Sequence, residues 1–160
     1  MIKTWRPRSV SLETEFNFSP TLLRQLLAGR NLASQLEAEQ FLNPDYDRDL
    51  HNPFLMLDMD RAVERILKAI KAGEKIVIYA DYDADGVPGA AILASFFQQI
   101  NFPNFLVYIP DRHLEAYGLN DLALGALALK GVKLVITVDC GVSDVGPVAE
   151  ANRLGLEVII

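Results

Sequence analysis

The feature that most limits what this chain can fold into is a change of texture at Lys75. From there on, short apolar runs rich in β-branched residues alternate with segments whose apolar residues recur at helical spacing. Such alternation builds strand-helix-strand units around a parallel sheet. The runs are Lys75 to Ala80, Phe105 to Ile109, Leu134 to Val138 and Glu157 to Ile160. Between them, Ile92, Leu93, Phe96, Phe97 and Ile100 predict one helical stripe. Leu122, Leu124, Leu127 and Leu129 predict a second, and Val148, Ala151 and Leu154 a third. Right-handed crossovers then give an α/β fold, a doubly wound parallel sheet flanked by helices. Val158, Ile159 and Ile160 read as a buried strand with no polar tail behind it, so a domain truncated at that point is expected.

Ahead of the sheet the chain reads as a short helical preface. Ser19-Pro20 supplies a cap and a first-turn proline, followed by a stripe of Leu22, Leu23, Leu26 and Leu27 that ends at Gly29. Ser34 and Glu37 have the spacing of a capping box for a second helix, which Asn43-Pro44 stops. Pro44 to Asp60 is expected to be a connection without regular structure. After it, Ala62, Val63, Ile66, Leu67 and Ile70 predict a helix closing at Gly73. The expected division is a helical N-terminal preface and connection over residues 1–60 and a sheet domain over residues 61–160.

Composition narrows the class without choosing a function. A hydrophobic content of 51% in 160 residues suits one globular core. No apolar stretch approaches the roughly 20 residues of a membrane span, and the start MIKTWRPRSV lacks the apolar run of a signal peptide. Cys140 is the one cysteine, which excludes an internal disulfide and a multi-cysteine zinc site and fits a reducing, cytoplasmic setting. The net charge of −6 argues against a simple basic nucleic-acid binder. Clustered aspartates neutralised by divalent ions account for part of that charge.

In an open parallel sheet, ligands bind beyond the carboxyl ends of the strands. There the chain turns acidic each time: Asp81-Tyr82-Asp83-Ala84-Asp85-Gly86 after the first run, Pro110-Asp111-Arg112-His113 after the second, Asp139-Cys140-Gly141 after the third. Aspartates two apart on an extended segment point the same way, so Asp81, Asp83 and Asp85 are expected to converge. Like charges gathered in this way call for a cation, and hard oxygen donors favour Mg2+ or Mn2+. Asp139, from a strand that a doubly wound order can place beside the first, adds a carboxylate able to bridge two ions. Solvated turn aspartates are the plain alternative, strongest for Asp139 taken alone.

Other motifs fit these residues less well. The spacing Asp81-x-Asp83-x-Asp85-Gly86 begins like a calcium-binding EF-hand loop, but Ile92 stands where that loop needs glutamate and a strand precedes it instead of a helix. Asp83-Ala84-Asp85-Gly86-Val87 resembles the nucleophile motif of haloacid-dehalogenase phosphatases, with Asp81 and Tyr82 intervening after the strand. Asp45, Asp47 and Asp49 repeat the spacing with no buried strand before them and read as a solvated loop. Arg112 offers a planar fork to a phosphate, or else a surface salt bridge. His113 reads as a solvated loop histidine and Cys140 as a small buried residue.

Tyr79-Ala80-Asp81-Tyr82-Asp83-Ala84-Asp85-Gly86 resembles the first motif of RecJ-type phosphoesterases of the DHH superfamily. Tyr108 to Arg112 with Tyr117-Gly118-Leu119-Asn120 resembles their next shared stretch, and Thr137-Val138-Asp139-Cys140-Gly141 their second acidic motif. Leu50 to Phe54 with Asp58 to Ala62 resembles the segment leading in. Pro88 stands where the family usually has a small hydroxylated residue, and Ala116 where it usually has glycine. The Asp-His-His triplet that names the superfamily is expected just after Ile160.

The resemblance implies hydrolysis of a phosphodiester by a metal-activated water, with two Mn2+ or Mg2+ ions stabilising the attacking and leaving oxygens. It makes Asp81, Asp83, Asp85 and Asp139 metal ligands, with Asp83 and Asp139 catalytic and Asp85 either a ligand or an acceptor behind one. Arg112 and Tyr117 become substrate contacts. The implied substrate is single-stranded DNA digested from its 5′ end, in repair and recombination, and the isolated chain is expected to be inactive. Short oligonucleotides, cyclic dinucleotides and a non-catalytic interaction module are the alternatives.

Overall fold

The computed structural model describes residues 16–19, 21–32 and 34–160. The chain divides into two compact units, Met1–Leu55 and Met56–Ile160.

In the first unit, α1 (Thr21–Ala28) and α2 (Gln35–Leu42) enclose a small core of Phe16, Leu27 and Ala38, with Phe18, Leu23, Ala28 and Leu32 against it. Leu22 and Leu26, expected in the same stripe, are exposed. The two helices need only a narrow contact, which Leu23 and Leu27 supply. Pro20, half of the expected start signal, and the stretch Met1 to Val10 lie outside the described residues. Ser34 caps α2 as its spacing predicts, accepting from the Glu37 amide at 3.2 Å. The following segment is not devoid of regular structure: it holds a one-turn helix α3 (Tyr46–Asp49) and a 3₁₀ turn at Pro53–Leu55. Asp45 caps α3 by accepting from the Arg48 amide, and Arg48 pairs with Asp49. Local side-chain bonds of this kind organise a stretch that has no apolar periodicity to announce it.

The second unit is a four-stranded, fully parallel sheet in the order β2-β1-β3-β4. Its elements are α4 (Met59–Ala72), β1 (Lys75–Ala80), α5 (Gly86–Gln99), β2 (Phe105–Tyr108), α6 (Asp121–Leu129), β3 (Val132–Val138), α7 (Val145–Arg153) and β4 (Glu157–Ile159). β1 is hydrogen-bonded on both edges and buried on both faces. Ile76, Ile78 and Ala80 pack under α4 and α5 with Ala69, Ala90 and Phe97. Val77 and Tyr79 pack on the other face with Leu124 and Leu127 of α6 and Ala151 of α7. The chain steps from β1 to β2 on one side, then crosses over to β3 on the other, so the winding reverses between β1 and β3.

The helical stripes are narrower than the sequence pattern implies. In α5 the contact row is Ala90, Leu93, Ala94 and Phe97, while Ile92 is 71% exposed and Phe96 and Ile100 are exposed as well. In α6 the row is Ala123, Leu124 and Leu127, and Leu122 and Leu129 stand in solvent. A helix on a sheet touches it along one row of positions, and alanines in that row bring the backbones close while larger apolar residues flank it. β3 starts two residues early because Lys75 pairs with Val132 and Ile76 with Leu134, leaving Lys133 as a bulged, exposed extra residue. β2 and β4 each end one residue before the expected limit, and α4 begins at Met59, two residues before the run starting after Asp60.

Phe97 is fully buried against Phe96, Phe102 and Phe105, with ring centroids 5.3 to 5.6 Å apart. Phe97→Ala is expected to lower the stability of the sheet unit by about 3–5 kcal/mol, read as a shifted midpoint in urea denaturation.

Candidate metal centre

The reversal of winding between β1 and β3 opens a crevice at their carboxyl ends, where doubly wound sheets bind ligands. The register decides what enters it. Ala80 pairs with Val138, and the Asp81 amide donates to the Val138 carbonyl at 3.1 Å. Asp81 and Asp139 therefore leave adjacent strands at the same level, one strand spacing apart. Asp83 joins them by a turn, not by the expected extended alternation, since residues 82–85 bend directly into α5. Oxygens of Asp81, Asp83 and Asp139 come within 4.8 Å of one another. Asp85 lies outside that trio, at the amino-terminal cap position of α5.

The three carboxylates are held in unlike ways. Asp81 is buried, at 6% exposure. Asp83 Oδ1 accepts from the amides of Asp85 and Gly86 at 2.9 and 3.0 Å. These bonds at the helix start, the one from Gly86 foremost, hold its carboxyl below the usual carboxylate range. Asp139 is pushed the other way, first by desolvation and then by the neighbouring Asp83 and Asp85. It also adopts the left-handed conformation, with φ of 59°, which costs a non-glycine residue about 1 kcal/mol or more. Gly86 is required by contact: a Cβ there would collide with the Asp81 backbone. Three hard oxygen donors, mutually repelling and one of them in a strained backbone, fit a divalent ion of the Mg2+ or Mn2+ type.

The loop from β2 to α6 forms a second wall. Glu115 gathers it, accepting from the Tyr108 phenol at 2.6 Å, the Asp111 amide at 2.7 Å and Asn120 Nδ2 at 2.9 Å. The phenol bond is foremost in holding the Glu115 carboxyl below its ordinary value of 4.5, while burial chiefly raises Tyr108 to about 12. Asn120 also caps α6 through the Ala123 amide. Next come three consecutive ties: the Tyr117 phenol donates to the Asp139 carbonyl at 3.0 Å, the Gly118 carbonyl accepts from the buried Tyr79 phenol at 3.0 Å, and the Leu119 amide donates to Asp144 at 2.7 Å. At Gly118, φ is +89° and a Cβ would lie 2.5 Å from Asp144 Oδ2, so only glycine fits.

Arg112 stands on the same rim, its guanidinium 4.7 Å from the centre of the Tyr82 ring, and it contributes to the lowering of Asp83. Asp111 forms a turn with the amides of His113 and Leu114, and His113 is exposed. Cys140 is buried, its thiol pushed up to about 11 chiefly by that burial. Thr137 Oγ1 is buried with no hydrogen-bond partner among the described residues and lines a cavity of about 270 Å³ with Tyr117, Asp139, Cys140 and Ile160. The structural parts of Glu115, Asp144 and Tyr79 are absent from the sequence reading. Asn120 carries a cap signal, three residues before Ala123. Asp144 meets Leu119 across 25 positions with no local cue.

An acidic trio at the switch point of a doubly wound sheet defines a candidate metal-dependent site, and the family follows from the chain itself. The chain belongs to the DHH family: residues 75–160 match the DHH family, N-terminal domain. It is similar to the single-stranded-DNA-specific exonuclease RecJ of Bacillus subtilis, 39% identical over 150 residues that make up 94% of this chain and 19% of that protein. The RecJ of Dickeya dadantii is 32% identical over 96% of this chain and 26% of its own length. Among solved structures, the fold is similar to exonuclease RecJ bound to manganese, with TM-score 0.54 and 32% identity over 61% of this chain and 25% of that one. RecJ from Thermus thermophilus in complex with Mn2+ gives TM-score 0.56 and 25% identity over 75% and 16%. The chain thus spans about a quarter or less of the relatives named here. This membership sets aside the haloacid-dehalogenase reading of Asp83 to Val87.

Two measurements bear on the electrostatics. The folded-state carboxyl of Glu115 is lowered, so its contribution to stability is complete above 4.5 and is lost as pH falls through the lowered value. The melting temperature of the wild type is therefore expected to fall more steeply than that of Glu115→Gln between about pH 5 and pH 3. For Asp139 the raised value means that the charged form is disfavoured by folding. Asp139→Asn removes the repulsion and suits the left-handed backbone; it is expected to raise the metal-free melting temperature while weakening Mn2+ binding in a calorimetric titration.

Proposed function

We propose that this chain supplies the carboxylate part of a divalent-metal phosphodiesterase centre which, in a protein of RecJ type, digests single-stranded DNA from its 5′ end during repair and recombination. The observation that carries the reading is the convergence of Asp81, Asp83 and Asp139 within 4.8 Å at the β1–β3 switch point. Two Mn2+ or Mg2+ ions bound there supply Lewis acidity and lower the cost of generating a nucleophile from water. Asp81, Asp83 and Asp139 hold the ions, with Asp85 as a further ligand or as an acceptor behind them.

Each remaining residue has a part that its position supports. The buried Asp81 fixes one ligand on the rigid end of β1. Asp83 is kept ionised by the amides at the start of α5 and so remains a ligand at neutral pH. Arg112, steadied on the Tyr82 face, presents a planar donor fork to a phosphate approaching the acidic trio. Tyr117 is 60% exposed beside Asp139, and its ring offers a face to the sugar or base next to that phosphate. The buried, unreactive Cys140 suits a cytoplasmic protein, and among the described residues no helix is long and apolar enough to cross a membrane. Three or four carboxylates are too few to fix two octahedral ions, so the 160 residues alone are proposed to be inactive.

The test compares this chain with one extended through the following lobes of a RecJ-type protein, measuring Mn2+-dependent release of nucleotides from single-stranded DNA. The extended protein is expected to turn over and this chain is not. Asp83→Asn in the extended protein is expected to reduce the rate by more than about a hundredfold with an unchanged circular dichroism spectrum. Equal rates for the two lengths, or full activity in Asp83→Asn, would displace the chemistry from these residues. Turnover of short oligonucleotides or cyclic dinucleotides in preference to long strands would change the substrate and leave the centre standing.

A further inference from the structure

We infer that Tyr117 is a positioning residue for the metal centre: its phenol, by holding the Asp139 carbonyl, keeps the Asp139 carboxylate turned toward Asp81 and Asp83. The inference rests on the metal-centre reading above and adds a residue that acts through another.

Asp139 has two reasons to leave its place. Its φ of 59° lies in the left-handed region, which an aspartate enters at a modest cost, and its carboxylate faces two others within 4.8 Å. Rotation about φ of Asp139 would carry its side chain and its own carbonyl together and relieve both. That carbonyl accepts the Tyr117 phenol at 3.0 Å, so the rotation must break the bond. On the far side the following residue is fixed as well, the Cys140 thiol lying 3.8 Å from the Tyr79 carbonyl.

A hydroxyl positions its acceptor only if its own backbone is rigid. Tyr117 meets that condition, because the next two residues are tied to different elements: Gly118 to the fully buried Tyr79 of β1, and Leu119 to Asp144 at the start of α7. Tyr117 is 60% exposed, so its ring contributes little to the core. Its hydroxyl is therefore the one part of the side chain with a defined, buried-side task, and that task ends on a metal-ligand backbone.

The experiment is a double-mutant cycle in the protein extended through the following lobes of a RecJ-type protein, reading Mn2+ affinity from the loss of the free-ion signal in electron paramagnetic resonance. Wild type, Tyr117→Phe, Asp139→Ala and the double variant are compared at a temperature where circular dichroism shows all four folded. Tyr117→Phe is expected to weaken Mn2+ binding by about three- to tenfold, the range of one lost hydrogen bond, with little change in the metal-free melting temperature. In the Asp139→Ala background the same change is expected to have no further effect, because the residue acts through that carboxylate. Unchanged affinity in Tyr117→Phe, or an equal loss in both backgrounds, would overturn the inference while leaving the metal centre intact. A wild type without saturable Mn2+ binding would overturn the metal centre and the inference together. Should Tyr117→Phe melt below the assay temperature, 3-fluorotyrosine placed at position 117 alone keeps the fold and strengthens the donor. Affinity is then expected to rise, and an unmoved affinity would refute the role.

Discussion

A strand hydrogen-bonded on both edges and covered on both faces has no place for a charge until it ends, and β1 is such a strand. Ile76 to Ala80 are buried without exception, so the first carboxylate, Asp81, must appear at the carboxyl end. The adjacent β3 ends level with it because the Lys133 bulge takes up one residue near the start of the ladder and leaves Ala80 opposite Val138. A shift of one residue would move Asp139 by about 3.3 Å along the strand and turn it to the other face. The acidic trio is thus a consequence of sheet register, and its precision comes from the core and not from the loops that carry it.

The same crevice shows how the fold tolerates like charges held together. Asp83 is stabilised as an anion by the amides that open α5, and Gly86 allows that helix to approach the Asp81 backbone closely. Among the described residues the Asp139 carboxylate accepts from no backbone amide; its backbone carbonyl accepts from the Tyr117 phenol. Asp83 is fixed by electrostatics and Asp139 by covalent and hydrogen-bonded geometry. Stability is given up at Asp139, and under the proposed function a bound cation would recover it.

Much of this was legible in advance, for identifiable reasons. Period and β-branching mark the four strands, and the rule that ligands sit past the strand ends points to Asp81, Asp83, Asp85 and Asp139, of which the structure leaves Asp85 outside the cluster. The meeting of the other three follows from a doubly wound order. What stayed hidden depends on distance in sequence or on shape. Nothing near Lys133 announces a bulge, and Asp144 lies 25 residues from the amide it accepts. The exposure of Ile92, Leu122 and Leu129 could not be read either, because periodicity reports which residues are apolar and not how wide a row the sheet can cover. A turn into α5 brings Asp83 beside Asp81 and Asp139 where extended alternation was expected.

The charge balance then acquires a physical meaning. A chain of net charge −6 with three of its carboxylates gathered in one crevice repels a phosphodiester at the point where the proposed chemistry takes place. Arg112 alone does not reverse that field, since it is one exposed cation against Asp81, Asp83, Asp85 and Asp139. Under the proposed function, divalent ions at the trio would offset that charge, so the feature that attracts the cation would also make substrate approach conditional on it. An acidic composition, which at first weighs against a nucleic-acid enzyme, is what such conditional binding requires. Under the proposed function, the metal serves as the gate to the substrate as well as the source of Lewis acidity, and the sheet register that aligns Asp81 with Asp139 sets both.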